Sequence, residues 1–180
     1  MSSTALSPIS QKFILHWGEM GTRWGINRTV AQVHALLFLS PKPLPADEIA
    51  AALDIARSNA STSLRELQHW GIVRVVHVAG DRRDHFESMK DVFEMFRVIA
   101  RERKKREIDP TTAMLAGCLA EAKKAKPPDS HTRERLADLL SFFELAQTAY
   151  AQLERLPTPA LFRLVRMGDK TFKLLGIKSR

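Results

Sequence analysis

The chain has 180 residues, 44% hydrophobic and 27% charged, with a formal net charge of +8 and a single cysteine. That length supplies enough apolar material for an independent core, while Cys118 standing alone excludes an intrachain disulfide and a multi-cysteine metal site. The charge suits an anionic partner, yet residues 1–90 hold 10 Lys and Arg against 8 Asp and Glu, and residues 91–180 hold 18 against 12, so charge does not single out one half as its binding surface.

The first residues, MSSTALSPISQKF, lack the charged-then-apolar plan of a signal peptide. The longest apolar run, Ala35 to Leu39, is far short of a membrane span. The expectation is a cytoplasmic protein. Prolines at 8, 41, 43, 45, 110, 127, 128, 157 and 159 mark junctions, because a proline inside a helix removes a hydrogen bond and clashes with the preceding turn. The first block between them predicts a helix with Ile9, Phe13, Trp17, Met20 and Trp24 along one face. A second helix starts near Arg28, capped by Asn27, with Val30, Val33 and Leu37 turned inward.

The stretch from Leu44 to Met89 is the most telling. Ile49 and Leu53 lie on one side of a short helix with Ala50, Ala51 and Ala52, small residues that allow another helix close. Asp47 and Glu48 fall in its first turn, where negative charge suits the helix dipole. Asp54-Ile55-Ala56 is a tight turn with Ile55 as its buried plug. The next helix, from Arg57 to about Trp70, carries Ala60, Leu64 and Leu67 on its inner face. Its outer face offers Arg57, Ser58, Asn59, Ser61, Thr62 and Arg65, a mix suited to base edges and phosphates. Gly71 ends it as a left-handed cap.

Ile72 to Val78 is β-branched and too short for a helix, so a strand is expected, with the turn at Gly80-Asp81 and a return strand from His85 to Met89. Helix, turn, helix and basic hairpin is the order in which a winged helix-turn-helix meets duplex DNA. A solvated helix face would explain Ser58, Asn59, Ser61 and Thr62 taken alone, and a solubilising tip would explain Arg82 and Arg83. Adjacency of the two elements favours DNA. Of the six histidines, His85 alone is placed to touch a phosphate.

At these residues the chain resembles the MarR superfamily of bacterial transcriptional regulators, and most closely its GbsR branch. ARSNASTSLRELQHWGIV, AGDRRDHFE and KDVFEMF carry the likeness, which extends over roughly residues 13–106. The resemblance implies that Asp81 orients Arg83 into the minor groove. It also implies a possible aromatic box for a quaternary ammonium ligand, with Phe93 and Phe96 in the matching positions and Trp17 and Trp24 nearby. Plain core packing would account for the same four rings. The sequence departs from its relatives at Ala56, where serine is common, so the recognition helix lacks its usual side-chain cap.

Beyond the hairpin, Asp91 to Ile108 predicts a long helix with Val92, Phe93, Phe96 and Ile99 on one side. Asp109-Pro110 then restarts the chain as a cap and first-turn proline. A helix to Ala122, a linker at Lys126 to Ser130, and a seam of Leu136, Leu139, Phe143, Ala146, Tyr150 and Leu153 follow, the seam suited to a partner helix in the chain or across a dimer. No phosphate loop, zinc motif or nucleophile elbow is present, so no enzyme, catalytic residue, metal or cofactor is expected. The resulting expectation is a mainly α protein with a small β-hairpin: a winged helix-turn-helix over residues 1–108 and a helical dimerisation region over 109–180. Its function would be that of a dimeric repressor binding a pseudo-palindromic operator in double-stranded DNA, open to a small-molecule effector. A winged-helix module that binds another protein is the alternative.

Overall fold

The computed structural model describes residues 6–124, 129–161, 163 and 167. They fall into two compact units, Met1–Ile99 and Ala100–Arg180, so the division lies within a helix and ahead of the boundary expected after residue 108.

In the first unit α1 (Pro8–Arg23) starts at Ser7, whose hydroxyl accepts from the Ser10 N–H, and α2 (Arg28–Leu39) starts at Asn27, whose side chain accepts from Thr29 and Val30. The buried stripe of α1 differs from the one its large residues suggest. Ile14, Gly18 and Gly21 are buried, whereas Ile9 is 82% exposed. The cause is close helix approach: a Cβ on Gly21 would stand 2.5 Å from the Ala31 Cβ, and one on Gly18 2.7 Å from the Gln32 Cγ. The rings of Phe13 and Trp17 therefore pack beside this seam, only partly covered.

Next come β1 (Leu44–Pro45), α3 (Ala46–Leu53), α4 (Arg57–His69), β2 (Val73–Val76) and β3 (His85–Ser88). The sheet has the order β1-β3-β2 and is antiparallel throughout, pairing Leu44 with Phe86 and Val75 with Phe86 from either side. The hairpin was legible in the sequence; β1 was not, because two residues ending in proline give no alternation to read. Asp54 takes a left-handed conformation (φ 52°) to close α3, and Gly71 (φ 76°) closes α4, with the Ile72 N–H reaching back to the Leu67 carbonyl. Leu37, Ile49, Leu64, Leu67 and Ile72 form the centre of the core.

α5 (Val92–Arg103) begins with Asp91 accepting from the Phe93 and Glu94 N–H groups. It does not stop at Asp109-Pro110. One π-helical turn (Lys104–Ile108) leads straight into α6 (Asp109–Ala122), and the Asp109 N–H bonds to the carbonyl of Lys104. The wider turn makes room for a proline ring that a regular α-turn would drive into a carbonyl. In the second unit α6 packs on α7 (Ser130–Arg155), where Gln147 donates to Thr112 at 2.9 Å and Asp109 at 3.3 Å. Asp129 caps α7 by accepting from Thr132. Most of the expected linker lies outside the described residues. Along α7 Leu136, Phe143 and Tyr150 of the seam are half-buried, while its Leu139 and Leu153 are exposed by 45% and 46%, and Phe142 and Leu145 outside it by 63% and 69%. Among the described residues no helix is long and apolar enough to cross a membrane.

Candidate nucleic-acid interface

α4 buries Ala60, Ser63, Leu64 and Leu67 and so turns Arg57, Ser58, Asn59, Thr62 and Arg65 to solvent, with Ser61 partly covered. Ala56 precedes the helix in an extended conformation and makes no side-chain cap. The side chains that could read a duplex are thus collected on one exposed face, and Arg65 is steadied by donating to Thr62 Oγ1 at 3.2 Å.

The wing is braced at its base and tip. Arg74 on β2 pairs with Glu87 on β3 at 2.6 Å. At the tip, Gly80 turns the chain with φ 83°, and Asp81 accepts from the Arg83 backbone N–H at 3.0 Å. The same carboxylate takes the Arg83 side chain: Nε donates to both of its oxygens at 3.0 Å and Nη2 to Oδ2 at 2.6 Å. The hydrogen bonds from the Arg83 side chain and backbone hold the Asp81 carboxyl far below the ordinary carboxylate range. Arg82 is exposed and makes no ion pair among the described residues.

Two further partners of Arg83 come from α3. Its Nη1 donates to Asp47 at 2.8 Å and its Nη2 to Glu48 at 3.3 Å. Slight desolvation works to raise the Asp47 pKa, but the hydrogen bond from Arg83, with backbone N–H groups and the guanidinium charge, brings it below the usual value. Asp81 first and then Asp47 raise the Arg83 pKa. The sequence marked Asp47 and Glu48 only as helix-dipole acids; nothing local signals a partner 36 residues away.

His85, expected to touch a phosphate, is turned inward in the free chain. It is 6% exposed, its Nδ1 donates to the Arg83 carbonyl at 2.9 Å, and its Nε2 lies 3.4 Å from Asp81. It lies on the opposite face of β3 from the core residue Phe86, and its contacts with the Arg83 carbonyl and Asp81 hold it against the wing tip. Trp17 meets Trp24 edge to face at 5.8 Å and stacks on Phe13 at 5.4 Å. Phe93 and Phe96 stand on α5, each 47% exposed. The second unit holds a crevice of about 410 Å³, mostly apolar, walled by Ala100, Ile108, Phe142, Phe143, Ala146 and Tyr150. Among the described residues no cluster of His, Cys, Asp and Glu could hold a metal ion.

Residues 24–84 match the MarR family, a stretch running from the end of α1 to the tip of the wing. A solved transcriptional regulator, 23% identical, is similar over 83% of this chain and 100% of its own, with a TM-score of 0.59. MepR, a transcription regulator of the Staphylococcus aureus multidrug efflux pump MepA, is 17% identical over 74% of this chain and 91% of its own, with a TM-score of 0.37. A mutant S. aureus MepR bound to an oligodeoxyribonucleotide is 17% identical over the same shares, with a TM-score of 0.34. No curated protein matches the sequence. The fold is a MarR-like winged helix, and the stretch that matches the MarR family holds both α4 and the wing tip.

Proposed function

We propose that this chain is a sequence-specific, double-stranded-DNA-binding transcriptional regulator, a dimeric repressor. The observation that carries the reading is the exposed polar face of α4 beside a wing whose arginine is gripped by Asp81. In this mechanism α4 enters the major groove, where Asn59 suits the paired donor and acceptor of an adenine edge. Arg57 and Arg65 meet phosphates, and Arg82 and Arg83 follow the minor groove beside them. The GbsR-like reading within the superfamily rests on AGDRRDHFE and KDVFEMF around the wing.

A dimer follows from the apolar stripe that α7 leaves in water, Leu139, Phe142, Leu145 and Leu153. Covering that stripe with a second copy presents two α4 helices to half-sites one helical turn, roughly 34 Å, apart. Ligand control is the finest part of the reading, and the 410 Å³ crevice supports it better than the Trp17–Trp24 edge contact does. One observation favours the alternative, a protein-binding winged helix: the wing arginine is surrounded by three carboxylates.

Fluorescence anisotropy with a labelled mixed-sequence duplex, at low and at high salt, tests the reading. Binding at low salt that weakens steeply with added salt supports it, because phosphate contacts release counterions. Absence of binding at low salt moves the protein-binding alternative ahead.

A further inference from the structure

The guanidinium of Arg83 is nearly saturated within the free protein. Nε faces Asp81, Nη2 faces Asp81 and Glu48, and Nη1 faces Asp47. Arginine carries five N–H donors in a fixed fork, so little is left for a base edge or a phosphate. The two sets of partners differ in kind. Asp81 belongs to the wing and travels with Arg83, while Asp47 and Glu48 sit in the first turn of α3 and do not. Three carboxylates around one arginine also make this corner net negative, which repels a duplex. Arg82, one residue away and exposed, has no such partner among the described residues.

We propose that Asp47 and Glu48 are positioning residues that latch Arg83 to α3 as an internal substitute for phosphate, so that the wing engages a duplex only by exchanging these two carboxylates for phosphate oxygens. The inference rests on the DNA-binding reading and adds to it a residue pair that sets the strength of wing engagement. Because the ion pairs are exposed, the latch is weak enough to be opened by binding. It suppresses contacts that do not repay the exchange, which sharpens preference for a fitted site over arbitrary duplex.

The test uses the full chain with Asp47→Asn and Glu48→Gln together, both isosteric and both on the surface, with each single change as a second variant and circular dichroism to check the fold. In the free protein, rotation about the Arg83 Nε–Cζ bond, followed by NMR, should become faster in the double variant. Affinity for a labelled mixed-sequence duplex should rise about ten-fold. The gain should vanish in an Arg83→Ala background, and Asp84→Asn, which removes a wing charge not bonded to Arg83, should not reproduce it. Unchanged rotation, or a gain that persists without Arg83, overturns the latch. Equal affinity of parent and double variant overturns the exchange alone. Failure of both proteins to bind duplex removes the DNA-binding reading and the exchange with it.

Discussion

His34 stands 4% exposed between the rings of Trp17 and Phe38, with centroid separations of 6.4 and 6.2 Å, and its Nε2 has no hydrogen-bond partner among the described residues. Burial lowers its pKa from 6.5 to about 4, so the folded protein holds it neutral. Between those two values the unfolded chain binds the extra proton, and stability falls as pH drops through the window. The contribution is complete above pH 6.5 and is lost towards pH 4, to a maximum of about 3 kcal/mol. Urea unfolding between pH 7 and 4 should show this slope, and His34→Leu should flatten it; an unaltered slope in the variant would place the acid sensitivity elsewhere. Gly21→Ala sets a new methyl against Ala31 at 2.5 Å, backbone-borne on both sides, and should lower stability by roughly 1–3 kcal/mol in the same assay. At this scale the sequence hides such residues. Gly18 and Gly21 carry no hydrophobic signal, so the apolar face from Ile9 to Trp24 does not reveal that the close helix approach buries the glycines instead.

At the scale of elements, α4 offers two kinds of contact that can be separated. Asn59→Ala should relax preference at one position per half-site, since its amide suits a base edge. Arg65→Ala should weaken all duplexes alike and reduce the salt slope by roughly one unit, the signature of a lost phosphate contact. Titrations against several duplexes at three salt concentrations distinguish the two; identical behaviour would move base reading to Ser58 or Thr62. Helix, turn, helix and hairpin were legible because their punctuation is local: Asp54, Gly71 and Gly80 all take positive φ where the chain reverses. The π-turn at Lys104–Ile108 was not, since Asp109-Pro110 carries the signature of a helix start and the accommodation that lets the helix continue involves the preceding turn. The setting of His85 is likewise not announced by residue type: contacts with the Arg83 carbonyl and Asp81 turn its ring inward in the free chain.

For the whole molecule, assembly decides whether two α4 helices act together. Leu139→Glu with Phe142→Glu places charges on residues 45% and 63% exposed in the single chain, so the fold should survive while the dimer dissociates. Light scattering at micromolar concentration should report a dimer for the parent and a monomer for the variant, with duplex affinity falling by orders of magnitude as the second half-site is lost. A parent that is monomeric both free and on DNA would contradict this architecture. The exposed face of α7 is legible only in outline from sequence. The seam from Leu136 to Leu153 announces a partner helix, but α6 covers one side of it, and the residues left for another chain include Phe142 and Leu145, which the heptad count passes over.

Selection of bound fragments from a random duplex pool tests the central claim, sequence-specific recognition of double-stranded DNA, most directly. The parent protein should enrich a two-fold motif with half-sites about 10 base pairs apart, and Asn59→Ala should lose preference at one position in each half. A pool that returns from repeated rounds with no enriched sequence would contradict it.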